Sequence, residues 1–468
     1  MELRYYERNN KIILFGAGVY AKKYKALLEY IDLDFDFFTD NDSSKWGKIL
    51  YGRKVISPHK LLEFTDCRII ISCTHEIAIK KQLLNMGLQD NILELDELYE
   101  ICEQKRKSIQ FDHKLNDKET IMVDMYEGIG WGGSELWAAD LAYNIKGRGK
   151  EVYLLGGKEQ PLLEAQYEEI TLRISEEDTI SKMVDLFTKN LPLVFINNFA
   201  GCGFLAAALL KRRYPDKIKI ISVIHNDNKA LYDAHMLMEK YIDKIFCVSA
   251  LIKDHMVNIY GKKNKQYFFK EQPIPIEADF GITKFGVIKD TLKIGYAGRL
   301  VIQQKRVDLL PKLIMELEKK DIEYELQIAG DGEHFSVLKE FINDENLSSK
   351  IHLLGRVKKS EMSNFWKSQD IFINISEYEG TSLSMLEAMS YGCVPVVTDV
   401  SGAREFITNN ENGYICDVGD LKAMAECIKI LVEDRGKLAD YGKKCRQIII
   451  DRCNPEEYID YWLENLLP

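Results

Sequence analysis

The sequence predicts an α/β protein built from parallel sheets covered by helices. Short strands rich in Ile and Val alternate with amphipathic helical runs almost throughout the chain, as strand–helix–strand units require. Several of those strands run straight into a glycine-rich or polar loop that opens a helix, the place where open α/β sheets bind their ligands. A length of 468 residues gives room for about three domains of ordinary size.

The first block opens with the strand Lys11-Ile-Ile-Leu-Phe15, the loop Gly16-Ala-Gly18 and an amphipathic run to about Tyr30. A second strand lies near residues 34–39 and ends at Asp40, and a third, Cys67-Arg-Ile-Ile-Ile-Ser72, precedes a helix ending near Gly87. Charged residues dominate from Glu97 to Thr120, which reads as a helix and a linker closing a domain over 1–110. A second domain, over 118–282, begins at Ile121-Met-Val-Asp-Met125 and has strands near Val152, Val194, 218–223 and 245–248. It ends near Gln272-Pro-Ile-Pro-Ile276, where two prolines stiffen a connector. The third domain, over 286–452, has strands near 292–296, 324–328, 351–354, 371–375 and 394–397. A last amphipathic helix fills 453–468.

Composition narrows the function. Hydrophobic residues at 46% and charged residues at 29% exclude a mostly disordered chain, a collagen-like fibre and a small disulfide scaffold. The net charge of -10 argues against binding to a nucleic-acid backbone, which needs clustered Lys and Arg. No run approaches the roughly 20 apolar residues that span a bilayer, and residues 1–10 lack the apolar core of a secretory signal. A cytoplasmic protein is expected. Lys211-Arg-Arg213 reads as a solvated helix end, with peripheral contact at the inner face of a membrane as the alternative. Ten cysteines without a C-x-x-C pair fit reduced, mostly buried thiols.

The sharpest chemical signal is Ser376-Glu-Tyr-Glu379-Gly380-Thr381-Ser382-Leu383-Ser-Met-Leu-Glu387. An Ile-rich strand ends, a polar loop follows, and a helix begins near Thr381 or Ser382, so free amides and the helix dipole offer an anion site. Glu379 stands at the mouth of that helix and Glu387 about two turns inside, both suited to sugar hydroxyls. Upstream, Gly298-Arg299 and Lys305-Arg306 follow another strand. An Arg fork and a Lys point charge can together neutralise a leaving diphosphate. In the second block, Glu127-Gly-Ile-Gly-Trp-Gly132-Gly133-Ser-Glu135 permits close backbone approach to a ligand. Strand Ile221-Ser-Val-Ile224 then delivers His225 and Asp227 at its carboxyl end.

These segments together resemble glycosyltransferase family 4: the E-x7-E pair, the G-R-L…Q-K-R segment, the G-G-x-E loop and the His after a strand. Val248-Ser249, Pro275, Ala329-Gly-Asp-Gly332 and Ser401-Gly-Ala-Arg-Glu405 agree with it. The resemblance covers residues 120–468 and implies a GT-B fold, two Rossmann-like lobes facing a cleft. It implies a retaining, metal-independent sugar transfer from a nucleotide-sugar, UDP-linked on family grounds, to a glycan, lipid-linked or protein-linked acceptor. It implies no other cofactor. The lobe over 118–282 would take the acceptor, the lobe over 286–452 the donor, and the last helix would cross back onto the acceptor lobe.

The same resemblance implies roles. Arg299 and Lys305 would hold the diphosphate, with amides of Thr381, Ser382 and Leu383 at the phosphates and Gly298 and Gly380 shaping the loops. Glu387 would hold the ribose, Glu379 the transferred sugar, and His225 its 6-hydroxyl. The base would rest near Arg356 and Val357. Gly132 and Gly133 would line the diphosphate and acceptor side, with Glu135 further back. Where the family often has Gly-Phe-Gly after the first glutamate, this chain has Gly380-Thr-Ser382, which leaves donor choice open.

Other readings share these residues. Glu379 and Glu387 also read as helix-terminal and exposed helix charges, and His225 as a satisfied core histidine. A nucleotide-sugar epimerase or a non-catalytic GT-B partner subunit would use the same architecture. The acidic group Asp34, Asp36, Asp40 and Asp42 lies far in sequence from the E-x7-E segment, so no metal is assigned to it. Gly16, Gly18 and Asp40 have the spacing of a dinucleotide fingerprint. With Asp40-Asn-Asp42, Gly47 and Gly52-Arg-Lys-Val55, they resemble the nucleotide-binding modules ahead of bacterial sugar acyltransferases. Residues 1–110 are expected to sense a ligand, to form a homo-oligomer or to dock a partner protein, ahead of any redox chemistry.

Overall fold

A computed structural model describes residues 11–466, apart from 19, 65, 74, 106–115, 117, 127–131, 159, 161–162, 176–178, 262–268, 272–275 and 277–290. The expected connector prolines, most of the first linker and most of the glycine loop after Met125 lie outside the described residues. Three largely parallel sheets organise the rest, each made where β-branched runs meet amphipathic helices.

The first sheet contains β1 (Lys11–Phe15), β2 (Phe37–Thr39), β3 (Ile49–Leu50), β4 (Arg53–Ile56) and β5 (Cys67–Ile71), in the order β3-β4-β2-β1-β5. Only β3 runs antiparallel, on β4. Ile13, Phe15, Ile69 and Leu83 are among its buried core. The second sheet contains β6 (Thr120–Asp124), β7 (Glu151–Gly157), β8 (Thr171–Ile174), β9 (Leu193–Asn197), β10 (Ile218–Ile224), β11 (Lys244–Cys247) and β12 (Phe269–Glu271). Its order is β12-β11-β10-β9-β6-β7-β8. The third contains β13 (Leu292–Ala297), β14 (Tyr324–Ala329), β15 (Ile351–Gly355), β16 (Ile371–Asn374), β17 (Val394–Thr398) and β18 (Tyr414–Cys416). Its order is β15-β14-β13-β16-β17-β18.

That last order reverses between β13 and β16. In open parallel sheets such a switch point leaves a crevice at the carboxyl ends of the two strands. The loops that begin at Gly298 and at Ile375 emerge there. The third sheet is sandwiched between two apolar clusters. One contains Ile294, Leu313, Ile328 and Ile428, and the other Trp366, Leu386, Met389 and Val397.

Contacts divide the chain into two units, Met1–Ser222 with Lys229–Lys244, and Val223–Asn228 with Ile245–Pro468. Within the first unit the β1–β5 domain is fixed to the helix Cys202–Arg213 and its surroundings. Lys23, only 3% exposed, donates to the Ala200 carbonyl at 2.7 Å. Buried Tyr99 donates to Leu205 at 3.4 Å, and its ring meets Tyr241 edge-on. Arg212 pairs with Glu103 at 2.9 Å and Asp96 at 3.3 Å, and Lys211 pairs with Asp243. In the second unit the helix Pro455–Leu466 buries Trp462 against Phe246 of β11, ring centroids 4.7 Å apart. All ten cysteines are free, and all but Cys73 and Cys427 are buried. Among the described residues no helix is long and apolar enough to cross a membrane.

Candidate active site

The second unit gathers charged and polar groups around Glu379. This carboxylate is 5% exposed. Its Oε1 receives Lys305 Nζ at 2.5 Å and Ser376 Oγ at 2.7 Å, and its Oε2 receives Gln304 Nε2 at 3.2 Å. Lys305 is itself largely buried, with 15% of its side chain exposed. Arg299 donates from Nη2 to Gln304 Oε1 at 2.8 Å. The two cations predicted for a diphosphate are therefore linked through one glutamine and one glutamate. Burial of a charge is tolerated only when it is paired and hydrogen-bonded, and Glu379 meets both conditions.

Close backbone approach brings the next segment in. A Cβ on Gly380 would lie 1.9 Å from the His225 carbonyl oxygen, so only glycine lets the two loops touch. The Asp227 amide donates to the Glu379 carbonyl at 3.1 Å, which fixes the same contact from the other side. His225 follows β10, and burial pushes its imidazole from 6.5 down to about 3. At neutral pH the ring is uncharged, able to donate from one nitrogen and accept at the other. The neighbouring Asp227 carboxylate lies 2.9 Å from His255 Nδ1.

The helix Leu383–Ser390 starts where the sequence places it. Ser382 caps it by accepting from Met385 N, and Thr381 Oγ1 donates to the Val248 carbonyl at 2.6 Å. The first-turn amides of such a helix have no acceptor one turn back. Leu383 and Val357 pack on the same apolar cluster, whereas Arg356 is exposed. Glu387 accepts from Trp366 Nε1 at 3.4 Å and is half-buried.

Pieces that seemed secondary in the sequence turn out to buttress this loop. Gly402, at φ +78°, lies so close that a Cβ would be 2.6 Å from the Gly380 oxygen and from Thr381 Oγ1. Ser401 Oγ lies 2.5 Å from Ser249 Oγ, and Glu405 accepts from the Ala250 amide at 2.6 Å. Gly330 does the same for the other loop: its Cβ would sit 1.9 Å from the Gly298 oxygen. The Gly298 amide donates to Ala329 and the Leu300 amide to Asp331. Gln304 and Ser376 stand inside the motif segments of the sequence without an assigned role, and the sequence does not single out Asn226. A Gln two places from the end of a polar loop carries no local signal. Ser376 had one, since a hydroxyl three residues before a carboxylate in a loop readily folds onto it.

The other predicted residues lie in the first unit. Gly132 caps the helix Gly133–Gly147, and Glu135, at its third position, is 2% exposed. Its Oε2 accepts from Ser134 Oγ at 2.9 Å and lies where a Gly132 Cβ would go. That is the placement of a capping-box carboxylate. Gly16, at φ +120°, lies against Cys73 and Ser72, and Gly18 is exposed. Asp40 accepts from the Ala17 amide at 2.8 Å and pairs with Lys45 at 3.0 Å, so its carboxylate already holds the glycine loop. Asp34 and Asp36 pair with Arg53 and Lys11. Among the described residues no three His, Cys, Asp or Glu are grouped to hold a metal ion.

The candidate site is thus a polar node at the switch point of a parallel sheet, beside a capped helix terminus. Comparison with known proteins bears on the fold. Residues 280–448 match the family described as glycosyl transferases group 1, and residues 8–93 match the family described as C2185-like, N-terminal. The chain is 29% identical over 261 residues to the poly(ribitol-phosphate) alpha-N-acetylglucosaminyltransferase of Staphylococcus aureus (strain COL). That alignment covers 53% of this chain and 50% of that protein. It is 22% identical over 300 residues to the N-acetyl-alpha-D-glucosaminyl L-malate synthase of Bacillus anthracis, covering 60% of this chain and 76% of that one. The chain thus spans about half the length of the first of these relatives. Among solved structures, the pneumococcal O-GlcNAc transferase GtfA in complex with UDP and GlcNAc superposes with a TM-score of 0.61. It is 14% identical and covers 75% of this chain and 99% of that one. Anabaena Alr3699/HepE in complex with UDP and glucose gives 0.62 at 16% identity, covering 74% and 99%. The fold is that of the GT-B glycosyltransferases.

Proposed function

We propose that this chain is a retaining glycosyltransferase that moves a sugar from a UDP-sugar to a hydroxyl group of a glycan, lipid-linked or protein-linked acceptor. The observation that carries the reading is the linked set Arg299, Gln304, Lys305 and Glu379 at the β13/β16 switch point. Two cations and a helix terminus on one crevice suit a diphosphate. The relatives and solved structures, whose names include UDP and sugar transfer, support the same chemistry.

In this reading Arg299 and Lys305 stabilise charge as the bond between the anomeric carbon and the diphosphate oxygen breaks. The acceptor oxygen then forms its bond to that carbon from the face the diphosphate leaves. Its proton passes to the departing phosphate oxygen, so no covalent sugar–enzyme bond forms. The first-turn amides of the helix Leu383–Ser390 meet the phosphates, Glu387 the ribose, and neutral His225 a sugar hydroxyl. The base rests against the backbone at Arg356 and Val357. The acceptor belongs to the lobe over 118–282, on its Gly132–Gly133 side, and the donor to the lobe over 286–452. Residues 1–110 serve docking or ligand sensing, and the protein works in the cytoplasm or at the inner face of a membrane.

Charge compensation by Arg299, Lys305 and the helix terminus makes a divalent metal unnecessary. A panel of UDP-sugars with candidate acceptors, run in EDTA, tests this. Transfer with the anomeric configuration kept is expected. An inverted product, or loss of transfer restored only by Mg²⁺ or Mn²⁺, would contradict the reading.

A further inference from the structure

We infer that Gln304 is a positioning residue for the proposed donor site, setting the Arg299 fork and the Glu379 carboxylate at once. The inference rests on the reading of that site given above. Gln304 is 9% exposed and lies on the loop after β13. Its side-chain oxygen accepts from Arg299 at 2.8 Å. Its side-chain nitrogen faces three acceptors: Asn226 Oδ1 and Glu379 Oε2, each at 3.2 Å, and the Tyr378 carbonyl at 3.4 Å. A group surrounded by a donor on one side and acceptors on the other has one favourable amide orientation. The backbone is held as well, since the Gln304 carbonyl accepts from the Glu377 amide at 2.9 Å.

Arginine binds a phosphate best when its planar fork is already aimed. Among the described residues, the Arg299 fork finds its side-chain acceptor in Gln304. Glu379 has its lone pairs taken up by Lys305, Ser376 and Gln304. The carboxylate thereby holds Lys305, and the glutamine holds both the carboxylate and the arginine. Removing the glutamine amide should loosen Arg299 without touching the ligand directly.

The test is UDP binding by calorimetry to the full chain and to Gln304→Met, Arg299→Ala and the double variant, with unliganded melting curves as a check on folding. Methionine keeps the volume and removes both polar atoms. A hydrogen bond to a charged group corresponds to about ten- to a hundredfold in affinity, so Gln304→Met should weaken UDP by that order. If Gln304 acts through Arg299, the double variant binds no worse than Arg299→Ala, a coupling that a generally structural role would not give. Wild-type affinity in folded Gln304→Met, or losses that simply multiply, would overturn the inference alone. A wild-type chain that binds no UDP would overturn both it and the function on which it rests. Should Gln304→Met fail to fold, Gln304→Glu keeps the acceptor for Arg299 and sets a second carboxylate against Glu379. Undiminished UDP binding by that variant would equally overturn the inference.

Discussion

His225 makes a pH prediction at the scale of a single side chain. An imidazole held near 3 in the folded chain and near 6.5 when unfolded takes up its proton first in the unfolded state. Stability from this group is complete above about 6.5 and is lost as pH falls from there toward 3. Replacing it by the uncharged His225→Gln should flatten that part of the acid-unfolding profile, read as melting temperature against pH. An unchanged slope would show that the ring titrates normally. Much of the candidate site is legible at this scale. Arg299, Lys305, Glu379 and His225 are residue types whose chemistry shows in sequence beside strand ends, and the fold gathers them in one unit. What sequence could not show was who holds whom. The Lys305–Glu379 pair joins positions 74 apart, and nothing local encodes that distance. For Asp40, spacing suggested a nucleotide contact, and the structure gives its carboxylate the Ala17 amide as a partner, a pairing that spacing does not reveal.

The next scale is the loop and the strand. Gly380 and Gly330 each permit a carbonyl to approach within 1.9 Å of where a Cβ would stand. Gly380→Ala must push the Glu379 loop away from His225, at a cost of about 1–3 kcal/mol as in other overpacked sites. The expected result is a lower melting temperature together with weakened UDP binding. A folded Gly380→Ala protein with the melting point of the wild type would contradict the contact. Strands with continuous Ile and Val runs, such as β10 and β16, were legible because buried parallel strands need that composition. The short strands β3, β4, β8, β12 and β18 were not read. Strands of two to four residues such as Ile49–Leu50, Arg53–Ile56 and Thr171–Ile174 have too few positions to show a period, and their pairing depends on neighbours remote in sequence.

For the whole molecule, the first domain is bound into its unit through Lys23, Tyr99, Asp96 and Glu103. A chain beginning at Asn116 should still bind UDP, since the proposed donor residues lie in the second unit. It should melt at a lower temperature, because Tyr241 and Leu205 lose their cover and Arg212 loses two carboxylates. Folded truncated protein without UDP affinity would show that the donor site extends into residues 1–110. The linker signal in the sequence, a run of charge after Glu97, correctly suggested a helix there. The helix Leu95–Lys105 nevertheless presents Tyr99, Asp96 and Glu103 to the rest of its unit, which a reading of net charge could not distinguish from a free spacer.

The central claim is that Lys305 and its partners neutralise a departing diphosphate. It is tested most directly by the rate of UDP release from a UDP-sugar by wild-type protein and by Lys305→Ala, each confirmed folded by its melting curve. Losing one cation aimed at growing charge lowers turnover on the order of 10²-fold or more. The account predicts a loss of that size in Lys305→Ala. Equal rates in the two proteins would contradict it.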